Sequence, residues 1–228
     1  MNKSGIDQDA LIAKFAQATA RQGETLRKTV SQATLRALHG RELTLDNIRK
    51  VLKSVTQAAS AGAAQNPASA VDVEAMLGKA FAGMDAALLQ TVEAQRKALQ
   101  QFIDQGLDIK DKQMKGALGH LEKMEDVFFS TVAKATEGAG STLQAPWQQV
   151  LQSMKGQGTD TGAQAGAAVE QLVERARTAL RDGRATSLNA TKAMMDSYAA
   201  LVSGVLIGMS DGLQPAAAKT DAGRARRR

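Results

Sequence analysis

The chain has 228 residues, 3% aromatics, no cysteine and a net charge of +6. Without cysteine there is no disulfide framework, thiolate metal site or cysteine nucleophile, and so few large side chains leave a thin core of Ala, Leu, Val and Met. The charge is unevenly placed: residues 1–53 carry ten Lys/Arg against five Asp/Glu, the middle is mildly acidic, and the last fourteen residues carry five against one. Basic ends of this kind are either solvating or attach electrostatically to an anionic partner.

The first residues, MNKSGIDQDALIAKF, place acids where a secretory signal needs an uninterrupted apolar run, so the expected location is cytoplasmic. Asp7 is the expected N-cap of the first helix, since its short acceptor side chain reaches an orphan amide in the first turn. Leu11, Ile12, Phe15 and Ala18 then mark one face, and Gly23 breaks or weakens the pattern before Leu26, Val30 and Leu38. His39-Gly40 closes this stretch.

The next unit, LTLDNIRKVLKSVTQAASAGAA, has Thr44 as expected N-cap and Asp46 in the first turn, where it complements the helix dipole. Ile48, Val51, Leu52, Val55 and Ala59 recur at helical spacing, with Arg49, Lys50 and Lys53 off the stripe. The small residues at 58–64 either approach another helix closely or fray. Asn66-Pro67 ends the unit.

The segment 71–140 has no proline and would extend about 100 Å as one helix. Leu77, Phe81, Met84, Leu88, Thr91, Gln95 and Leu99 alternate steps of four and three, as a coiled-coil seam does. The seam continues through Ile103, Leu107, Met114, Leu121, Glu125, Phe128 and Val132. Gly106 and the pair Gly116, Gly119 are the candidate bends, and one break is expected rather than two separate helices. Pro146 is expected at the first position of a short helix carrying Trp147, Val150 and Leu151. GQGTDTG (156–162) reads as a loop, followed by a helix over 163–181 and a last one ending near Leu213. The apolar stretch 198–209 falls short of the roughly twenty residues a membrane span needs.

The expected architecture is an all-α, elongated antiparallel helical bundle with a coiled-coil-like long central helix or helix pair. Its parts are an N-terminal helical segment (1–66), the central segment (67–140), C-terminal helices packing on it (141–213) and a disordered basic tail (214–228). Three stretches echo one another, with Val55, Val132 and Val205 each followed seven residues later by a small residue and then by a proline. Ala-rich helices also resemble one another by composition alone.

Candidate chemistry is sparse, and no catalytic residue, cofactor or metal site is expected. His39 and His120 lie on different elements, His39 at a helix C-terminus. Glu122, Glu125 and Asp126 lie within one turn, but di-metal bundles need Glu-x-x-His repeats on facing helices, so a solvated face is expected. GQGTDTG has the glycines of a phosphate loop but neither the Lys-Ser/Thr nor a preceding strand. Gly204, Gly208 and Gly212, four apart in an apolar run, form a groove for close helix packing. Arg224, Arg226, Arg227 and Arg228 suit non-specific phosphate neutralisation; no aromatic interleaves them, which argues against base stacking.

LTLDNIRKVLKSVTQAASAGA, LEKMEDVFFSTVAKATEGAG and GTDTGAQ together resemble a bacterial family of helical proteins of unknown function, over most of residues 7–213. That resemblance implies an all-α intracellular protein and supplies no activity. More loosely, the Ala/Gln/Lys-rich amphipathic helices and basic tail look like phasins, which coat polyhydroxyalkanoate granules; no phasin motif aligns residue by residue. The expected function is a non-catalytic scaffold or surface coat, with self-association and a granule or membrane surface as partners and no small-molecule substrate. The alternative is a nucleic-acid-associated protein binding through its basic termini.

Overall fold

A computed structural model describes residues 6–17, 22–39, 41–66, 70–106 and 112–181, together with Val202, Val205 and Leu206. The fold is all-α. In chain order the described helices are α1 (Gln8–Ala16), α2 (Gly23–Leu38), α3 (Leu45–Ala64), α4 (Ala70–Asp104), α5 (Lys112–Glu122), α6 (Met124–Thr136), α7 (Ser141–Gln157) and α8 (Asp160–Arg181).

The caps behave as short polar side chains should. Asp7 accepts from the Ala10 amide at 3.0 Å, and Thr44 accepts from the Asn47 amide at 3.3 Å. The small run at 58–64 packs and does not fray. Gly62 lies against Ile12 and Phe15 of α1, and Ser60 Oγ accepts from the fully buried Trp147 Nε1 at 3.0 Å.

α4, 35 residues and roughly 50 Å long, is the axis of the bundle. Between residues 76 and 99 only Lys97 is exposed. Its apolar and small residues are mostly buried, its polar ones are mostly half-buried, and α4 packs against α2, α3, α7 and α8. Contacts fix the directions. Glu24 meets Lys79, and Arg27 lies beside Gly83, so α2 runs with α4. Thr56 meets Met84 while Asn66 meets Met76, so α3 runs against it. The Phe81 and Phe128 rings stack at 4.4 Å, although these residues lie far apart along the central segment. That segment is therefore folded back on itself: α6 runs against α4, packed mainly on α3.

α4 ends at Asp104, and Gly106 just beyond it has a φ of 94°, in the left-handed region that glycine adopts at no steric cost. The expectation of one long helix with a single break is thus corrected. The chain departs from α-helix at Gln105-Gly106 and again at Lys123, and Gly116 and Gly119 stay inside α5. Pro146 is also displaced from its expected place. α7 begins at Ser141, so the proline stands inside the helix. Leu143, Trp147 and Val150 are all buried on one face, and that stripe carries the helix start upstream of the ring.

α7 and α8 then ascend alongside α4: Val150 lies over Gly78, Thr161 meets Asp85 and Arg175 meets Asp104. The outcome is an up-and-down bundle in which α2, α4 and α7–α8 point one way while α3 and α5–α6 point the other. A continuous core runs through it. A second, smaller cluster joins Leu35, Ala87, Ala94 and Ala98 to Val202 and Leu206.

Candidate functional site

The densest polar cluster among the described residues lies where α7 hands over to α8. Gly158, at φ 76°, turns the chain, and Thr159 to Gly162 supply the first amides of α8. The opening N–H groups of any helix lack intrahelical acceptors. Here two other helices provide them. From α4, the Asp85 carboxylate accepts from the Asp160 amide and the Thr161 amide, both at 3.1 Å. The Thr161 hydroxyl donates to the Asp85 carbonyl at 3.0 Å. From α6, Glu125 Oε1 accepts from the Thr159 amide at 3.1 Å and from its hydroxyl at 2.7 Å. Thr159 Oγ1 in turn accepts from the Gly162 amide at 2.9 Å, a side-chain N-cap. A Cβ on Gly162 would meet the Glu125 carboxylate, which would have to shift from its place against Thr159.

Asp85 is 9% exposed. Burial pushes its carboxyl above the ordinary aspartate range. Hydrogen bonds from Thr161 and Asp160 offset part of the rise, and the neighbouring Asp160 carboxylate adds to it. A raised carboxyl in a cleft is a candidate acid or base. Both Asp85 oxygens, however, are aimed at backbone amides, and two carboxylates at a helix N-terminus complement its partial positive charge. The arrangement is a cap built in trans.

A second polar line follows the α4–α8 seam. Glu93 accepts from Gln164 Nε2 and pairs with Arg96 at 3.0 Å. Arg175 clasps Asp104 through two bonds, at 2.6 and 2.9 Å. The groove beside them, about 660 Å³, is lined by Arg96, Gln100, Asp104, Gln171 and Glu174 among others. A further groove of about 560 Å³ lies between α6 and α7, floored by Phe129 and Leu151.

A family model described as a family of unknown function, DUF6781, matches residues 1–215. The chain belongs to the DUF6781 family. No curated protein and no solved structure matches it. The family resemblance expected from LTLDNIRKVLKSVTQAASAGA, LEKMEDVFFSTVAKATEGAG and GTDTGAQ is thereby shown, and DUF6781 membership carries the all-α fold without an activity. The tail arginines lie beyond the matched span.

The remaining candidates divide. Of the three acids grouped by sequence, Glu122 and Asp126 are exposed as expected, but Glu125 is drawn inward by Thr159, which corrects the reading of a wholly solvated face. GTDTG is no loop either: Thr159 is a cap residue and α8 starts at Asp160, three residues before the expected start. Its first amides are filled by the protein's own carboxylates. His39 Nε2 is buried without a partner, as are Gln90 Oε1 and Gln95 Oε1. Gly204, Gly208, Gly212, Arg224, Arg226, Arg227 and Arg228 lie outside the described residues. Among the described residues no group of three His, Asp or Glu is placed to hold a metal ion, and no helix is long and apolar enough to cross a membrane. Sequence reasoning missed Asp85, an acid on the apolar stretch 80–89 of α4. The signal that finds it is its position: its neighbours Met84 and Leu88 are seam residues, so an acid there is carried inward.

Proposed function

We propose that this protein is a non-catalytic helical scaffold or surface-coat protein, phasin-like in its physics, acting by self-association or by adsorption of amphipathic helices to an apolar granule or membrane surface. The observation that carries this reading is where the polar chemistry goes. The cluster most like a reactive centre, Asp85 with Glu125, is spent on holding α8 in place. Other buried hydroxyls are used alike: Ser60 accepts from Trp147, Thr56 meets Met84, and Ser60, Thr34 and Thr91 each donate to a carbonyl one turn back in their own helix. In the closed bundle the seam is turned inward. Half-buried apolar side chains reach the outside at Phe129, Leu151, Met154, Val169 and Val173, as they do at Ile12, Leu43, Leu45 and Leu89.

The test is sedimentation equilibrium combined with flotation on triolein droplets. Oligomers or droplet-bound protein support the reading; a strict monomer that never floats defeats it. A second reading, attachment to nucleic acid through the basic termini, draws on Arg49, Lys50 and Lys53, all exposed on α3, with only Arg49 paired, to Asp46 at 2.6 Å. DNA retention that survives about 200 mM salt and falls on deletion of 215–228 would favour it.

A further inference from the structure

α8 is tied down differently from the other core helices. Its buried face is mostly alanine: Ala165, Ala168 and Ala176, with Leu172 as its one large fully buried side chain among those described. Apolar burial scales with area, so an alanine face grips its neighbour far less than the Ile, Val and Leu of α3 do. Polar ties make up the difference, and they run the length of the helix on α4: Asp85 at the start, Glu93 to Gln164, and Asp104 to Arg175 near the end. At its root stands Gly158 in a left-handed conformation, a residue that admits a change of direction without steric cost. Around the helix, Ala165, Ala168, Val169, Leu172, Val173 and Ala176 form a single stripe at three- and four-residue steps.

We propose that α8 is a releasable arm: Asp85 and Glu125 latch its first turn, and once that turn is free the arm pivots at Gly158 and lays its stripe on an uncharged apolar surface. This rests on the adsorption reading above and names the segment that does it. The charge of the arm selects the surface. Asp160, Glu170 and Glu174 balance Arg175, Arg177 and Arg181, so α8 gains nothing from anionic headgroups. A basic amphipathic helix would favour an anionic bilayer. This one suits a neutral oil or polymer interface.

The absence of native cysteine allows a clean test. Glu93→Cys and Gln164→Cys are introduced together and joined by a reducible bis-maleimide, locking α8 to α4. In parallel, Asp85→Asn with Glu125→Gln loosens the latch. Droplets of triolein with a neutral phosphatidylcholine coat are the probe, read by flotation, and hydrogen exchange of the 163–176 amides reports release directly. The loosened chain should expose those amides about tenfold more often for each N–H left without an acceptor, and should float more. The locked chain should not float until reductant is added. Trp147 fluorescence checks that the rest of the bundle is intact in every variant.

Flotation of the locked chain equal to that of the unlocked chain overturns the arm while leaving adsorption standing. No flotation by any form, with amide release in the loosened one, overturns the adsorption reading and the proposal together. Release that yields only a dimer assigns the stripe to a second copy and overturns the surface.

Discussion

An aspartate carried into a helical core must find donors, because an ionised carboxylate without them costs several kcal/mol. Asp85 finds two amides and nothing cationic, and burial still outweighs them, which is why its carboxyl sits above the ordinary range. Removing it should therefore hurt through the partners it leaves. Asp85→Ala strands the amides of Asp160 and Thr161 and should cost about 2–4 kcal/mol in urea unfolding; Asp85→Asn keeps one acceptor and should cost roughly half as much. The pH dependence has a definite sign. With the folded value raised, the folded chain holds this proton more tightly than the unfolded chain, so the contribution favouring the fold is fully present below the ordinary aspartate value. It is lost as pH rises through the folded value. The Asn variant should lack that decline, and a series of denaturation midpoints across the acidic range would show it. Trp147 allows a similar test with a private signal. It is the sole tryptophan, and Ser60→Ala leaves its indole N–H unpaired in a fully buried site. About 1–2 kcal/mol should be lost, with faster exchange of the single indole proton seen by NMR.

At the scale of elements, helix existence was legible because period 3.6 and good helix formers coincide, as in Ile48, Val51, Leu52 and Val55, all fully buried. The caps Asp7 and Thr44 were legible for the same local reason. Direction and contact were not, since they depend on partners remote in the chain. Glycine shows the gap best. Gly83 and Gly116 both stand inside helices, and sequence alone marked only the second as a bend. In the fold a Cβ on Gly83 would lie 2.6 Å from the Arg27 carbonyl oxygen and 2.9 Å from Val30 Cβ, whereas at Gly116 it would meet nothing within 4 Å. Gly83→Ala should drive α2 from α4 and cost about 1–3 kcal/mol, in spite of the helix propensity gained. Gly116→Ala should instead raise stability by up to about 1 kcal/mol. Thermal melts of the pair decide this, and equal shifts of the same sign would refute the packing of α2 on α4. GTDTG escaped for a related reason: its composition is that of a loop, and only the arrival of two acids from other helices makes it a helix start.

At the scale of the whole molecule, α4 stands nearly enclosed by α2, α3, α7 and α8. Residues 202 and 206 close the last gap: Val202 is 1% exposed and Leu206 is fully buried, against Leu35, Ala87, Ala94 and Ala98. Two aliphatic side chains buried to that degree contribute about 3–6 kcal/mol, a large share of the 5–15 kcal/mol that holds a typical domain together. Ending the chain after Arg181 should thus lower the melting temperature well beyond what loss of a tail would do. It should also bare an alanine stripe that admits another helix at close range. The truncated protein should bind a hydrophobic dye and sediment as a dimer or larger. Deleting only 215–228, which removes the tail arginines and leaves Val202 and Leu206, should do neither. A chain cut after Arg181 that melts and sediments like the full-length protein would mean α4 needs no cover on that side, and that the second cluster contributes nothing to the fold.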